Sequence, residues 1–588
     1  MSATTVSAEQ RRLRLILCWH MHQPDYRDHA SGEFILPWTY LHALKDYTDM
    51  VRHLERHPQA RAVFNFVPVL LDQLEAYVQA FRQGTVRDPL LRLLAAEDLD
   101  RITDEERQIV LNDCFRANHT TMVEPFPAFK RLVAIYRVLE ESGGSAAHYV
   151  SGQYMADLLV WYHLAWTGET VRREHEFLIG LMTKGERFTH ADRLALYRLI
   201  GEILSGLMAR YKALADAGRI ELSSTPHYHP IAPLLLDFRV ARESVPDVQL
   251  PDSPCYPNGP VRVAFHVESA LSSHEHRFGA RPQGLWPAEG GVSDAFVRML
   301  GQRGCRWTAS GEGVLANSLR HYSPAEPGDR RDYLYRPYHI QAAGASPACF
   351  FRDDRLSDLI GFEYGKWNGE DAVKNFVHEL EEILANFPTD AYDPVVSVIL
   401  DGENAWEYYP YNGYYFLDGL YEALAHHPAI EMTTFSAYLD SCAPPGDERA
   451  SPSSRCATFG VLPSLVAGSW VYGTFSTWIG SPDKNRAWDL LCKAKQSFDL
   501  MMTSDKLTEE EKHIAHEQLA DCESSDWFWW FGDDNPRHSV ESFDKLFRDN
   551  LRHLYALLKL PAPGWLDRPI SRGGAEAAER GGTMRRAS

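Results

Sequence analysis

The hydrophobic positions along the first part of the chain alternate between short strand-like runs and longer amphipathic stretches. Apolar runs at 13–19 and 62–67 have the length and composition of buried strands, and residues 41–57 between them repeat apolar positions at helical spacing. Strand, helix and strand in this order form a βαβ unit, which implies parallel strands. The pattern therefore predicts an α/β fold, either a parallel barrel or an open sheet.

The same alternation continues toward the middle of the chain. Helical patterns cover 189–217 and 370–387 and start again near Ser293, whereas strand-like runs cover 219–224 and 395–400. The run at 395–400 is rich in β-branched residues, which is typical of a strand buried on both faces. These further elements extend the α/β prediction to about residue 430.

Beyond residue 430 the pattern becomes mainly helical. A polar, turn-rich stretch at 442–456 indicates a loop or boundary. Helical patterns follow at 484–503, after a capping box that begins at Thr508, and at 540–559. The Gly-, Arg- and Ala-rich end of the chain predicts a disordered tail.

Composition and charge narrow the class of protein. The 588 residues are 45% hydrophobic and 24% charged, as in ordinary globular proteins. The net charge of −20 argues against nucleic acid and anionic membrane surfaces as partners. No apolar run approaches the ~20 residues of a membrane helix, and the N-terminus does not resemble a signal peptide. The nine scattered cysteines form no C-x-x-C pair, so we expect neither a zinc ribbon nor a disulfide framework, in a reduced, cytoplasmic setting.

Two carboxylates at the ends of predicted strands are the candidate catalytic groups. Glu289 directly follows the strand-like residues 283–286, and Asp401 ends the run at 395–400. Parallel barrels place their catalytic groups at the carboxyl ends of strands, so the two acids are expected to meet there. Paired carboxylates with different pKa values are what cleavage of a glycosidic bond requires. We expect a raised pKa for Asp401 and a low one for Glu289.

Histidines add a second kind of candidate chemistry. His20 and His22 also lie at a strand end, and they share a face if the strand continues through them. Such an H-x-H pair suits a metal site as well as a sugar site, and the residues alone leave both readings open. His229, in a strand-end loop, adds little by itself.

Taken together, these segments resemble glycoside hydrolase family 57, whose members are retaining enzymes that act on α-glucans. The resemblance covers about residues 13 to 560, and WPAEG, DGENAWE and DWFWWFGDD are most similar to the α-amylase and amylopullulanase branch. It rests on five segments in the family's order, which are His22-Gln23-Pro24, Glu221 with His229-Pro230-Ile231, Trp286-Pro287-Ala288-Glu289, Asp401-Gly402-Glu403-Asn404 and Ser469-Trp470-Val471-Tyr472-Gly473.

The resemblance implies a distorted (β/α)7 barrel followed by a C-terminal helical bundle that completes the active-site cleft. The barrel would span 13–430, with a helical insertion around 110–190, and the helical domain would span 431–562. Flexible ends are expected at 1–12 and 563–588.

The resemblance also implies residue roles, with Glu289 as the nucleophile and Asp401 as the general acid/base. It implies no cofactor and no metal, and the expected partner is an α-glucan or a malto-oligosaccharide. The side chains expected to contact the sugar are His20, His22, Gln23, Glu221, His229, Trp286, Arg352, Asp353, Glu403, Trp406, Trp470, Asp526 and Trp527.

Four functions remain open at this point. The first is α-amylase-type hydrolysis of α-1,4-glucan, and the second is a 4-α-glucanotransferase or branching enzyme on the same scaffold. The third is a metal-dependent sugar hydrolase or deacetylase that uses His20 and His22, which predicts a bound divalent ion. The fourth is a glucan-binding protein without activity, against which the presence of both acids argues. The oligomeric state is not predicted.

Overall fold

Short strands run through the chain from its beginning to residue 462. The computed structural model describes residues 11–141, 149–323, 328–344, 346–388, 392–442 and 456–574. Within these ranges the strands are β1 (Leu13–Met21), β2 (Arg27–Asp28), β3 (Glu33–Phe34), β4 (Ala62–Phe66), β5 (Ile220–Ser224), β6 (Gly284–Leu285), β7 (Trp307–Gly311), β8 (Tyr338–Ile340), β9 (Ala348–Arg352), β10 (Val395–Asp401), β11 (Ile430–Thr433) and β12 (Gly460–Leu462).

Seven of these strands close into a parallel barrel, which confirms the predicted fold class. Their order around the barrel is β10, β1, β4, β5, β6, β7 and β9, and β9 pairs with β10 to complete the ring. Three short strands lie outside this ring, with β11 on β1, β8 antiparallel to β9, and β12 parallel to β8. The separate hairpin of β2 and β3 stands apart.

Side chains of the barrel strands alternate between two cores, as the period of a strand requires. In β1, Leu15, Leu17 and Trp19 pack outward against the surrounding helices, whereas Ile16 and Cys18 pack inside the barrel. This alternation places His20 on the inner face, and the same parity in β10 directs Asp401 inward. Burial of the alternate positions therefore fixes where the polar side chains at the strand ends point.

Helices surround the barrel and form a large insertion between β4 and β5. The insertion runs from residue 68 to residue 216, beyond the predicted 110–190, because Pro68 starts a helix at its first position rather than only ending the strand before it. The helices up to this point are α1 (Trp38–His42), α2 (Thr48–Arg56), α3 (Pro68–Gln83), α4 (Pro89–Ala95), α5 (Asp104–Asp113), α6 (Pro127–Glu141), α7 (Gly152–Ala165), α8 (Glu169–Glu174), α9 (Glu176–Lys184) and α10 (His190–Asp216).

The remaining helices complete the barrel and form the C-terminal part of the chain. None of the helices that the structure describes is long and apolar enough to span a bilayer. They are α11 (Ala232–Leu236), α12 (Ala241–Ser244), α13 (Gly259–Phe278), α14 (Asp294–Gln302), α15 (Glu312–Tyr322), α16 (Arg330–Tyr333), α17 (Asp354–Asp358), α18 (Gly369–Ala385), α19 (Tyr414–Ala425), α20 (Phe435–Ser441), α21 (Pro482–Met502), α22 (Glu509–Cys522), α23 (Ser525–Trp530) and α24 (Arg537–Leu557).

The C-terminal helices pack on the barrel through an aromatic core of their own. Trp488 of α21 stacks on Phe528 of α23 with ring centroids 3.9 Å apart, and Phe238 from the barrel side meets the same tryptophan. The helical part begins at α21 rather than at the predicted residue 431, because β11 and β12 still belong to the sheet. Strands of three or four residues carry too little periodicity to be read from the sequence.

Two sequence-based expectations about the second half of the chain are wrong. Cys442 and Cys456 form a disulfide with Cα atoms 5.4 Å apart, although the cysteine spacing indicated none. The predicted tail starts at 563, yet Gly564–Asp567 form a short 3-10 helix, and Leu566 and Ile570 are buried against the C-terminal helices. Residues 1–10 and 575–588 lie outside the described residues.

Candidate active site

The carboxyl ends of the barrel strands bring the predicted acids and histidines together at one mouth of the barrel. His20 pairs with Asp401 in the register between β1 and β10, so these two residues are neighbours on the sheet. Glu289 lies in a 3-10 turn, Ala288–Gly290, just after β6. A parallel barrel places its functional groups at this end, and both acids lie there in the structure.

Glu289 has an unusual backbone and a small set of hydrogen-bond partners. Its φ angle is +54°, in the left-handed region that residues with a Cβ atom seldom occupy. The indole Nε1 of Trp470 donates to Glu289 Oε2 at 3.1 Å, and the backbone N–H of Trp470 donates to the Glu289 carbonyl at 3.1 Å. Strained backbone of this kind persists where the surroundings hold a functional group in place.

Asp401 ends β10 with a different environment. Its carboxylate accepts a hydrogen bond of 3.0 Å from Asn404 Nδ2. Burial raises the pKa of Asp401, while Asn404, His22 and Arg352 act in the opposite direction. A carboxyl that keeps its proton near neutral pH is the form that a general acid needs.

The predicted contrast between the two pKa values is wrong for Glu289. Burial, with the charges of Asp401 and Asp526, raises the pKa of Glu289 well above its usual range. His20 and Arg352 are the nearby donors that we expected to lower the pKa of Glu289, but both contact other groups. His20 contacts Asn65, and Arg352 donates to the carbonyl of Ile399 at 3.0 Å. The negative charges of Asp401 and Asp526 therefore both oppose ionisation of Glu289.

Three imidazoles stack beside Glu289 and carry a chain of hydrogen bonds. His20 Nδ1 donates to Asn65 Oδ1 at 2.7 Å, because a carbonyl oxygen only accepts. His20 Nε2 lies 3.2 Å from His229 Nε2, and His229 Nδ1 lies 2.8 Å from the Ser525 hydroxyl. Both rings are neutral in this arrangement, and burial lowers the pKa of His20 to about 3.

Ser525 connects this chain to the nucleophile candidate. Its hydroxyl donates to Glu289 Oε1 at 3.5 Å and also lies 2.8 Å from His229 Nδ1. This donor lowers the pKa of Glu289 and so opposes the larger effect of burial. Ser525 was not predicted from the sequence.

The turn that carries Ser525 also presents Asp526 to the barrel. His22 Nε2 lies 2.9 Å from Asp526 Oδ2, and the His22 ring stacks on His229 with centroids 3.8 Å apart. Glu523 anchors the turn from below, because Arg262 and His266 of α13 bind its carboxylate with both groups buried. The helical part of the chain thus places Asp526 beside His22, whereas Trp470 comes from the segment before α21.

Glu403 and Gln23 lie beneath the histidines and shape the strand end. Glu403 Oε1 accepts from the backbone N–H of His22 at 3.1 Å and from Gln23 Nε2 at 3.2 Å. Burial and the charge of Asp401 raise the pKa of Glu403 well above its usual range. The structure therefore places Glu403 and Gln23 at the site, with contacts that hold the His22 backbone.

Aromatic rings form one wall of the site. Trp286 and Trp470 meet edge to face with centroids 5.3 Å apart, and the Arg352 guanidinium lies 5.0 Å above the Trp470 ring. The Trp286 ring also faces His20 at 6.3 Å. This wall brings together three of the residues predicted to contact the sugar.

Four residues predicted for the site lie elsewhere. Glu221 is at the amino end of β5, about 10 Å from the mouth along the strand, where it accepts hydrogen bonds from Trp307 and Ser436. Asp353 caps α17 and binds Arg330 and Tyr335. Trp406 and Trp527 are both buried, and their indole N–H groups donate to the carbonyls of Gly402 and Asp521, respectively.

One group of side chains has the composition of a metal site. Ligand atoms of His22, His229 and Asp526 all lie within 4.8 Å of one another. His20, which the metal-dependent alternative required, has both ring nitrogens committed to Asn65 and His229. A divalent ion would use His22 with His229 and Asp526, and His229 would have to give up its contact with His20 or with Ser525.

Two further residues belong to the site although the sequence-based list omitted them. Asn65 is the one polar residue in β4, AVFNF, and its amide donates to Ser223 Oγ at 2.9 Å and orients its oxygen to His20. A polar residue inside an apolar strand was the available signal for it. Asn404 directly follows the acid segment, and its contact with Asp401 depends on the 3-10 turn that starts there.

Comparison with known proteins gives the family and the fold. The model of glycosyl hydrolase family 57 matches residues 16–448, and no curated protein matches the chain. The fold is similar to a family 57 branching enzyme from Thermococcus kodakaraensis, with 15% identity, 92% of this chain and 90% of that chain covered, and a TM-score of 0.54. It is also similar to an α-amylase from Thermotoga maritima, with 14% identity, 93% of each chain covered and a TM-score of 0.53. The chain belongs to glycosyl hydrolase family 57.

Proposed function

We propose that this enzyme cleaves α-1,4-glucosidic bonds of an α-glucan with retention of configuration, and that water is its main acceptor. The observation that carries the proposal is the pair Glu289 and Asp401 at one barrel mouth, with charges that act on each other. The similar proteins support the substrate class, since one is a branching enzyme and another an α-amylase.

In this mechanism, Glu289 attacks the anomeric carbon while Asp401 donates its proton to the departing glycosidic oxygen. The covalent glycosyl-enzyme is then hydrolysed by a water that Asp401 deprotonates. Ionised Glu289 is the reactive form of the nucleophile. Trp470 is partly exposed and packs edge to face on buried Trp286, so it offers an apolar face to the sugar ring.

Unpartnered polar atoms at the site also support a ligand rich in hydroxyl groups. Among the described residues, His22 Nδ1, Trp286 Nε1 and Glu403 Oε2 are buried without a hydrogen-bond partner. Buried polar groups are nearly always paired in folded proteins. Sugar hydroxyls both donate and accept, so they suit an indole N–H and a carboxylate oxygen alike.

The test is a product profile from maltoheptaose with a chelator present. Hydrolysis predicts shorter oligomers with a matching rise in reducing ends, and proton NMR of the first products should show the α-anomer before mutarotation. Glu289→Gln should lower turnover by about a thousandfold or more. Longer and shorter products at constant reducing ends would instead identify a glucanotransferase or branching enzyme, and β-anomeric first products would exclude retention.

The chelator also tests a second candidate, which the group of His22, His229 and Asp526 favours. A metal-dependent sugar hydrolase or deacetylase would be inactive with chelator and regain activity with a divalent ion. Turnover that resists the chelator would exclude this candidate. The predicted cytoplasmic location and the absence of nucleic acid as a partner remain proposals.

A further inference from the structure

A group of exposed aromatic rings lies outside the catalytic mouth, on the connection between β10 and α19. Tyr411 and Tyr415 are 50% and 52% exposed, and their rings meet edge to face with centroids 5.6 Å apart. The chain that carries Trp367, itself 43% exposed, passes beside them, since the Cβ position of Gly369 lies 3.2 Å from Tyr415 Cβ. We call Tyr411 and Tyr415 the tyrosine pair.

The backbone that presents the tyrosine pair is strained. Tyr411 and Asn412 have φ angles of +55° and +53°, and Gly413 continues the left-handed run at +70°. For residues with a Cβ atom this left-handed conformation is disfavoured by steric contact with the backbone. Folded chains retain such strain where it holds a side chain in a useful position.

Buried contacts of Asn412 hold this strained turn in place. Lys45 Nζ donates to Asn412 Oδ1 at 2.9 Å, and Asn412 Nδ2 donates to Asp49 Oδ2 at 2.8 Å. Below them, the ring of buried Trp406 leaves no space for a side chain at Gly413. The anchor fixes one residue of the turn inside the protein and leaves the ring of Tyr411 in solvent.

The guanidinium of Arg173, a residue of the insertion, contacts both rings, and its charge is partly offset by Glu169. The Arg173 guanidinium lies 5.1 Å from the ring centroid of Tyr415 and 5.7 Å from that of Tyr411, and it donates to the Tyr415 hydroxyl at 3.1 Å. Glu169 Oε1 accepts from Arg173 Nε at 2.7 Å and partly offsets that charge, since the same carboxylate also pairs with buried Arg172. Aromatic faces edged by hydroxyl groups and a paired cation suit a neutral, hydroxyl-rich ligand better than an anion.

The position of the tyrosine pair relates it to the catalytic acids. Asp401 ends β10 at the barrel mouth, and the connection Asn404–Gly413 leads from there to α19, so the pair lies at the same end of the barrel. We propose that Tyr411 and Tyr415 form a second binding site for α-glucan chains, separate from the catalytic mouth. This inference rests on the proposed function, because it takes the same polymer as the ligand.

Binding to glycogen tests the proposal in the full-length chain. All binding variants carry Glu289→Gln so that the polymer stays intact, and their migration is compared in native gels with and without glycogen. Tyr411→Ala with Tyr415→Ala should raise the dissociation constant about tenfold, since two stacking rings are lost. Tyr411→Phe with Tyr415→Phe keeps the rings and should bind like the parent.

Activity of the enzyme with intact catalytic acids provides the second readout. The double alanine variant should retain its kcat/KM for maltoheptaose within about twofold, and its KM for glycogen should rise about tenfold. Tyr149→Ala is the matched control, because Tyr149 is 80% exposed and lies in the insertion, just before the start of α7. This control should bind glycogen as the parent does.

Three results would overturn the proposal. The first is unchanged glycogen binding in the double alanine variant, and the second is loss of binding in the double phenylalanine variant. The third is a double alanine variant that sediments as a smaller species than the parent, which would show that the tyrosine pair is an interface between copies of the chain. Failure of the proposed function looks different, since wild-type enzyme would then leave maltoheptaose unchanged.

Discussion

Glu289 and Asp401 are two buried acids, and the negative charge of Asp401 is one cause of the raised pKa of Glu289. A nucleophile must be ionised, so kcat/KM should fall as the pH drops through this raised pKa. Trp470 donates to the same carboxylate and acts in the opposite direction. The balance of burial and the charges of Asp401 and Asp526 against the donors Trp470 and Ser525 therefore sets the acid limb of the pH profile.

Asp401→Asn tests this balance directly. The substitution removes a like charge at nearly constant size, so the pKa of Glu289 should decrease and the acid limb should move to lower pH. An α-glucosyl fluoride is the substrate of choice, because its fluoride leaving group needs no proton from Asp401. The measurement is the pH dependence of fluoride release by both proteins. An acid limb that stays in place, or moves upward, would contradict the coupling.

At this scale the sequence predicted which residue types act, but not the states of their protons. Residue order and strand ends led to Glu289 and Asp401, and the structure places both at the mouth with His22. The low pKa expected for Glu289 is wrong because burial and the charges of Asp401 and Asp526 raise it, while Arg352 donates to a backbone carbonyl, and none of these contacts leaves a local pattern in the sequence. Ser525 was missed because a serine at a helix start usually acts as a cap, whereas the cap of α23 is Ser524.

At the scale of elements, the site depends on how α13 holds the turn before α23. Arg262 contacts Glu523 through two nitrogens at 2.8 Å and 2.9 Å, and both side chains are buried. His266 adds a contact of 2.7 Å to the same carboxylate. This buried network lies two residues before Ser525, so it fixes the part of the helical region that reaches Glu289.

Arg262→Ala should therefore destabilise the protein strongly. Loss of one partner leaves the charge of Glu523 buried and uncompensated, which costs about 3–5 kcal/mol in comparable cases. The free energy of unfolding from urea titration measures the effect. Arg281→Ala is the control, since Arg281 follows the same helix but pairs with Glu268 and Glu275 in solvent. Equal unfolding midpoints for the two variants would refute the structural role of the network.

The pH dependence of stability gives this prediction a second measurement. Arg262 and His266 lower the pKa of Glu523 to about 2. A carboxyl with a depressed pKa in the folded state stabilises the fold at higher pH, and that contribution is lost as the pH falls toward 2. Arg262→Ala should show a smaller loss of stability over this acid range than the wild type does.

The sequence predicted long elements well and short ones poorly. The capping boxes at Thr189 and Thr508 are present as expected, and the helices that follow them start where predicted. β11 and β12 have four and three residues, and their place in the sheet follows from pairing with β1 and β8. Pairing between strands that are distant in sequence leaves no periodic pattern. The predicted boundary at residue 430 therefore separated β11 from the sheet to which it belongs.

At the scale of the whole molecule, the two ends of the barrel have different tasks. The carboxyl ends of the strands carry the acids and histidines, whereas α20 closes the opposite end with Phe435 against Trp307. The Cys442–Cys456 disulfide follows α20 directly, so it belongs to the closing end. Residues at this end of a barrel generally serve stability, so we expect the disulfide to affect unfolding and not turnover.

Thiol counting tests the disulfide and, with it, the expectation of a reduced setting. Of the nine cysteines, two form the disulfide, so protein unfolded without reductant should react with a thiol reagent at seven sites and with reductant at nine. Cys442→Ser should give eight in both cases. In the chain-entropy model, closing a loop of this length adds about 3 kcal/mol, so the variant should unfold at lower urea while its kcat/KM for maltoheptaose stays the same. Nine reactive thiols without reductant would contradict the disulfide and favour the reduced compartment that the sequence predicted.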